Sequence, residues 1–197
     1  MKTGNVDALV KIKSGLLRVV EGLNEIIDPA IEAPPHNEAI ETTPGDLIEV
    51  KGMEADWVVS GLKWNGKHEA RDQKELQDFL GFNPNDADGG KSWCAGFWLK
   101  IFEELGFDVS GLNLMATSFK TFGYEIDNIT DGAICVFEPK EDADFPIRHV
   151  GVVVDDCQKL FGGNQGNSAK RSNLQWYLEN AELTAIRCPD GYKLFSA

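Results

Sequence analysis

Histidine is scarce in this chain of 197 residues, which contains three, and cysteine is little more common, with four. The cysteines form no CxxC pair and no cluster with histidine, which argues against a structural zinc site. The chain also lacks any apolar run near the ~20 residues that a membrane-spanning helix needs, so no membrane span is predicted. Positively charged residues are also few, because the chain contains 19 Lys and Arg but 32 Asp and Glu.

The formal net charge of −13 follows from that imbalance. Such a chain would repel phosphates, so nucleic acid is not an expected partner. The first residues, Met1–Asp7, lack the charged start and apolar block of a secretory signal. We therefore expect synthesis in the cytoplasm without a signal peptide, and any work outside would need another route across the membrane.

Three segments differ in composition. Residues 1–28 carry apolar residues at helical spacing, which predicts an N-terminal amphipathic helix. Packing onto the rest of the chain, self-association and docking to a partner remain open for it. Residues 29–45 hold four of the eight prolines and several acids, which predicts a Pro-rich acidic linker. Residues 46–197 contain the aromatic residues needed for a packed core.

Residues 46–197 change from helical periodicity to short apolar runs. This order predicts an α+β domain in which helices are followed by an antiparallel sheet. The predicted helices are Glu69–Leu80 and Cys94–Leu105, and the predicted strands are Ala133–Phe137, His149–Val154, Lys159–Phe161 and Leu183–Cys188.

Cys94 opens one of these helices, where free backbone N–H groups and the positive helix end favour a thiolate. His149 opens a strand and could take the thiol proton as a general base. Asn164, or its neighbour Gln165, could orient the imidazole. These are the parts of a cysteine hydrolase. The structural alternatives are a small buried thiol, a histidine at a strand start and an ordinary turn asparagine.

The other cysteines have simpler interpretations. Cys135 and Cys188 lie in predicted strands and are expected to be buried thiols. Cys157 follows two aspartates in a predicted turn and could be a free surface thiol.

Five segments together resemble the CHAP and NlpC-type cysteine amidohydrolases and peptidases, over roughly residues 57–189. Their order and spacing match the nucleophile segment, a hydrophobic strand, the histidine strand, a glycine-rich segment of one bacterial and phage branch, and a closing strand. The segments are Trp93–Phe97 (WCAGF), Thr130–Phe137 (TDGAICVF), Arg148–Val152 (RHVGV), Leu160–Ser168 (LFGGNQGNS) and Ala185–Pro189 (AIRCP).

The resemblance implies a papain-like α+β fold and hydrolysis of a peptidoglycan amide bond through a thioester acyl-enzyme. It implies that Cys94 is the nucleophile, His149 the base and Asn164 the orienting residue. The candidate substrate-binding residues are Trp93, Arg148 and Gln165. The expected partner is a peptidoglycan stem peptide or the glycan–peptide junction. Action would then fall in the periplasm or cell wall, after export, delivery or lysis.

Three features depart from the family pattern, and one is Asp131-Gly132 in place of the usual proline-glycine. Arg148 stands where glycine usually precedes the histidine, and it could contact an anionic stem peptide. Gly162 stands where some CHAP enzymes carry an orienting glutamate, which leaves Asn164 for that role. Upstream of Cys94, Asp86 and Asp88 could offer oxygen ligands to calcium, with a solvated acidic turn as the alternative. No other cofactor is expected.

A second class of function remains open. A binding or structural protein of a phage or secretion assembly could retain the fold without catalysis. Reactivity of the Cys94 thiol separates the two classes, because a catalytic cysteine reacts at lower pH than a buried structural one.

Overall fold

The computed structural model describes residues 47–85, 92–141 and 146–195. The predicted N-terminal helix and linker, residues 1–28 and 29–45, lie outside this range. Within it, the chain forms the following helices: α1 (Asp56–Leu62), α2 (Gln73–Leu80), α3 (Cys94–Glu104) and α4 (Leu174–Asn180). The strands are β1 (Ile48–Lys51), β2 (Tyr124–Glu125), β3 (Ile134–Glu138), β4 (His149–Val154), β5 (Lys159–Gly162), β6 (Lys170–Asn173), β7 (Glu182–Cys188) and β8 (Tyr192–Phe195).

Six strands form one antiparallel sheet in the order β2-β7-β3-β4-β5-β6. The strands β3 and β4 are buried at almost every position, as their continuous apolar sequences require. Strands β1 and β8 form a separate parallel pair. Three helices precede most of this sheet, so the predicted α+β fold class is confirmed.

Helix α3 packs against the middle of the sheet and contributes most of its length to the core. Phe97 contacts the rings of Trp93, Trp98 and Phe161 in edge-to-face geometry. Such aromatic contacts add to the stabilisation from apolar burial. The consequence for the site is a rigid helix whose first residue, Cys94, is fixed against the sheet. The whole set of fully buried large side chains is Trp57, Trp93, Trp98, Phe97, Phe102, Phe119, Phe137, Phe161, Leu76, Ile101, Ile134 and Leu160.

The predicted helix over Glu69–Leu80 is shorter in the structure and begins at Gln73. The preceding residues form a turn instead, because the Asp72 carboxylate accepts from the His68 backbone N–H and His68 Nδ1 accepts from the Ala70 backbone N–H. These side-chain acceptors compete with helical hydrogen bonding. His68 thus has a local structural role.

Among the described residues, no helix combines the length and apolar character needed to cross a membrane.

Candidate active site

Cys94 is the first residue of α3, and its side chain is 2% exposed. The N–H groups of the first helical turn have no partner within the helix, and they give this end a positive partial charge. Ser92 Oγ lies 3.4 Å from Cys94 Sγ. The local sequence therefore places the thiol where a negative charge on sulfur is favoured.

His149 is the first residue of β4 and is 6% exposed. The register of the sheet sets it opposite Phe137 of β3. Its imidazole stacks on the ring of Tyr177, with centroids 5.1 Å apart and 16° between the planes. Backbone pairing on one side and ring stacking on the other fix the orientation of the imidazole.

Cys94 and His149 interact, and the interaction changes the pKa of Cys94. Burial has the largest influence and raises this pKa. Hydrogen bonding to His149 and the charge of its ring lower it, and Ser92 and the backbone of Val150 lower it further. The pKa falls to about 7, from 9.0 for an unperturbed thiol. A large fraction of Cys94 is therefore thiolate near neutral pH.

The other three cysteines show the opposite shift. Burial, followed by the charge of Cys157, raises the pKa of Cys135 to about 12. Burial is also the main influence that raises the pKa of Cys157 and of Cys188. Cys135 and Cys188 are buried, as predicted, and Cys157 is partly exposed. Of the four, Cys94 alone has the electrostatics of a reactive thiol.

Asn164 lies just after β5, in the left-handed conformation with φ of 57° that asparagine tolerates better than most residues. Its side-chain N–H donates to Ser92 Oγ at 3.3 Å. Because this bond occupies an acceptor position of Ser92, the hydroxyl proton is free to point to Cys94 Sγ. Asn164 thus reaches the thiol through Ser92, and its predicted role in orienting His149 stays a prediction.

Gln165 is 2% exposed, and neither atom of its amide has a hydrogen-bond partner among the described residues. The same holds for Nε2 of His149. A Cβ added at Gly162 would lie 3.0 Å from Gln165 Nε2, so the missing side chain of Gly162 leaves the space that the amide fills. The indole N–H of Trp98 is in the same state, so buried polar atoms without a partner among the described residues occur in the core as well as beside His149.

Trp93 and Arg148, the remaining predicted substrate-binding residues, occupy different environments. Trp93 is fully buried, and its indole N–H donates to Glu69 Oε2 at 2.9 Å. This places the ring in the core behind Cys94 and away from solvent. Arg148 is exposed and directly precedes His149. The hydrogen bond from Lys120 is the main influence that lowers the pKa of Glu138, and the charge of Arg148 lowers it further.

The candidate calcium ligands Asp86 and Asp88 lie outside the described residues. Within the described ranges, no group of three or more His, Cys, Asp or Glu side chains could hold a metal ion.

Ser92 and Tyr177 are site residues that the sequence motifs do not reveal. Tyr177 lies on α4, which is not among the predicted elements. A signal for this helix exists, because Asn173 Oδ1 accepts from the Trp176 backbone N–H as an N-cap, and Leu174, Tyr177 and Leu178 follow at helical spacing. Ser92 carries no comparable signal in the sequence.

No protein-family model matches this chain, and no curated protein matches it. Among solved structures, it is similar to NlpC1 from Trichomonas vaginalis, with 20% identity and a TM-score of 0.38 over 48% of this chain and 33% of that one. It is also similar to NlpC2 from Trichomonas vaginalis, with 16% identity and a TM-score of 0.41 over 66% of this chain and 48% of that one. The chain thus matches less than half the length of each. These likenesses are too low to carry an argument, and the α+β assignment rests on the elements described above.

Proposed function

We propose that this chain is a papain-like cysteine hydrolase of the NlpC type that cleaves an amide bond in peptidoglycan, as an amidase or an endopeptidase. The observation that carries the proposal is the pKa of Cys94. Burial of the thiol raises this pKa, but His149, from a separate strand, is the main influence that lowers it to about 7. Cys135, a buried thiol in the same sheet, shows the opposite shift, because burial first and the charge of Cys157 second raise its pKa to about 12.

In the proposed reaction, the Cys94 thiolate attacks the carbonyl carbon of the substrate amide. The new S–C bond forms as negative charge moves onto the carbonyl oxygen, where the Cys94 backbone N–H stabilises it. The C–N bond then breaks, and His149 gives its proton to the leaving amine. This leaves a thioester between Cys94 and the acyl part of the substrate.

Water completes the cycle. His149 removes a proton from the water, the oxygen attacks the thioester carbon, and the C–S bond breaks. His149 then returns this proton to the Cys94 sulfur, and the products are a carboxylic acid and the regenerated thiol. Tyr177 holds the imidazole plane by stacking, and Ser92 donates to the sulfur when it is negative. Asn164 acts through Ser92 and could orient His149 on substrate binding.

Peptidoglycan is proposed as substrate on the five-segment resemblance, and action would fall in the periplasm or cell wall. The test is mass spectrometry of purified peptidoglycan after incubation with the wild-type chain and with Cys94→Ala. New fragments that require Cys94 would support the hydrolase, and their masses would name the bond. If no fragments form under reducing conditions with calcium present, the non-catalytic binding role becomes the better proposal.

A further inference from the structure

Glu69 joins three segments of the structure around the residue that precedes Cys94. Its Oε2 accepts a hydrogen bond at 2.9 Å from the indole N–H of Trp93, which lies 24 positions later in the chain. The backbone N–H of Glu69 donates to the Asn167 carbonyl at 2.9 Å. Asn167 belongs to the glycine-rich segment that also contains Asn164. Glu69 thus connects the turn before α2 to that segment and to the start of α3.

The backbone that carries Glu69 is itself held in place. Backbone hydrogen bonds and an isolated antiparallel bridge between His68 and Ser168 pair residues 66–69 with residues 167–169. The half-buried side chain of Glu69 therefore extends from a backbone that is hydrogen-bonded to the glycine-rich segment. An acceptor on such a backbone can fix the direction of the group that donates to it.

Trp93 links this acceptor to the nucleophile. It is fully buried and is the N-cap of α3, and its carbonyl accepts from the Phe97 backbone N–H at 2.9 Å. A Cβ added at Gly163 would lie 2.6 Å from the Trp93 ring, so the ring lies directly against that backbone. Because Cys94 is the next residue, a rotation of Trp93 would move the sulfur relative to its hydrogen-bond partners.

The bond to Glu69 is not a requirement for burying an indole in this core. The Trp98 indole N–H is equally buried and has no partner among the described residues, and the Trp57 indole N–H donates to the Gly132 carbonyl. Of these three fully buried tryptophans, Trp93 alone donates to a carboxylate. The bond therefore has a purpose other than burial, and it acts on the residue next to the nucleophile.

We propose that Glu69 is a positioning residue of the candidate active site. By holding the Trp93 indole, it fixes the Cys94 sulfur beside Ser92 and His149. The influences on the pKa of Cys94 are burial, His149, Ser92 and the Val150 backbone, so Glu69 acts through geometry and not through its charge. The consequence for turnover rests on the proposed function, whereas the effect on the thiol does not.

The experiment measures the pH profile of Cys94 labelling by iodoacetamide in variants of the full chain. Glu69→Leu removes the acceptor, so the midpoint should rise by about one pH unit, the effect of losing one hydrogen bond to a thiolate. Glu69→Gln keeps an acceptor oxygen and should keep the wild-type midpoint. Glu75→Leu is the matched control, because Glu75 lies on the nearby helix α2 and pairs with Lys67 instead of Trp93. This control should also keep the wild-type midpoint.

Trp93→Phe tests the same bond from the donor side, because it removes the indole N–H. Its midpoint should rise, and adding Glu69→Leu to it should change the midpoint little, since both variants remove one bond. The proposal is overturned if Glu69→Leu keeps the wild-type midpoint while thermal unfolding shows it folded, or if Glu69→Gln shifts the midpoint as far as Glu69→Leu. If Glu69→Leu does not fold, Trp93→Phe decides, and an unchanged midpoint there overturns the proposal.

Failure of the positioning role and failure of the hydrolase give different results. With both in place, Glu69→Leu should lower kcat about fivefold at pH 7, in proportion to the thiolate fraction, and leave KM unchanged. Hydrolysis of peptidoglycan by the wild-type chain, with the midpoint of Glu69→Leu unchanged, would remove the positioning role and leave the hydrolase. A midpoint that depends on Glu69, with no hydrolysis by the wild-type chain, would leave the positioning role and remove the hydrolase.

Discussion

Tyr177 lies almost parallel to His149, with the two ring centroids 5.1 Å apart. The same tyrosine interacts electrostatically with Cys94, because burial first and the Cys94 charge second raise the pKa of the Tyr177 hydroxyl to about 12. A residue from the short helix α4 thus fixes the plane of the imidazole while remaining neutral at any physiological pH. Tyr177 therefore contacts His149 and interacts electrostatically with Cys94, the two residues of the candidate site.

Replacing Tyr177 tests whether stacking orients the base. Tyr177→Ala should lower the free energy of unfolding by about 3 kcal/mol, as for other buried aromatic residues, and should slow iodoacetamide labelling of Cys94 at pH 7. Tyr177→Phe keeps the ring and is the control, with a labelling rate close to wild type. A wild-type pH profile of labelling in Tyr177→Ala would contradict the orienting role.

The pH dependence of Cys94 labelling follows from its lowered pKa. The thiolate reacts and the thiol does not, so the rate should rise with pH and reach half its maximum at about pH 7. In His149→Gln the hydrogen bond and the charge of the imidazole are lost, while burial and the bonds from Ser92 and the Val150 backbone remain, so the midpoint should rise clearly above pH 7. Mass spectrometry of labelled peptides measures this, with Cys135 as an internal control that stays unlabelled. An unchanged midpoint in His149→Gln would show that His149 does not lower the pKa of Cys94.

Ser92→Ala tests the hydrogen bond to sulfur. A hydrogen bond to a charged group contributes about 1.5 kcal/mol, which corresponds to about one pKa unit. The labelling midpoint of Cys94 should therefore rise by about one unit, less than in His149→Gln. Ser118→Ala, which removes a hydroxyl bonded to the Met115 carbonyl far along the chain, is the control and should leave the midpoint unchanged.

Asn164→Ala distinguishes the two roles considered for that residue. If Asn164 acts through Ser92, the labelling midpoint should shift in the same direction as in Ser92→Ala, and the double variant should add little. If it orients His149 directly, the two effects should add. Labelling profiles of the three variants decide between these outcomes.

Gly163→Ala tests the packing behind the nucleophile. An added Cβ would lie 2.6 Å from the Trp93 ring and 2.7 Å from Phe97 Cβ, so the first turn of α3 would have to move. We expect a loss of stability of about 1–3 kcal/mol and a slower reaction of Cys94. Gly191→Ala, with open space around the added Cβ but a left-handed φ of 82°, is a control for backbone strain without core contact. Equal thermal stability of Gly163→Ala and wild type would contradict the close packing.

The sequence predicted the helix that begins at Cys94 and the strand that begins at His149, because both have local sequence signals. The buried strand β4 is a continuous apolar run from His149 to Val154, and α3 has an apolar stripe that ends before Gly106, so both boundaries match the predictions within one residue. The short helix α4 and strands β6 and β8 lack such long periodic signals. Strand β8 forms by pairing with β1 at the other end of the described chain, and α4 packs on β5 and β7.

What the sequence by itself determined is the set of chemical groups: one cysteine at a helix start, one histidine at a strand start, and polar residues in a glycine-rich segment. The tertiary structure decided which of them meet. Two contacts join residues that are far apart in the chain: Asn164 donates to Ser92, and Tyr177 stacks on His149. The tertiary structure also buries Trp93. Such contacts depend on how the helices pack on the sheet, and packing between distant segments follows tertiary context more than local propensity.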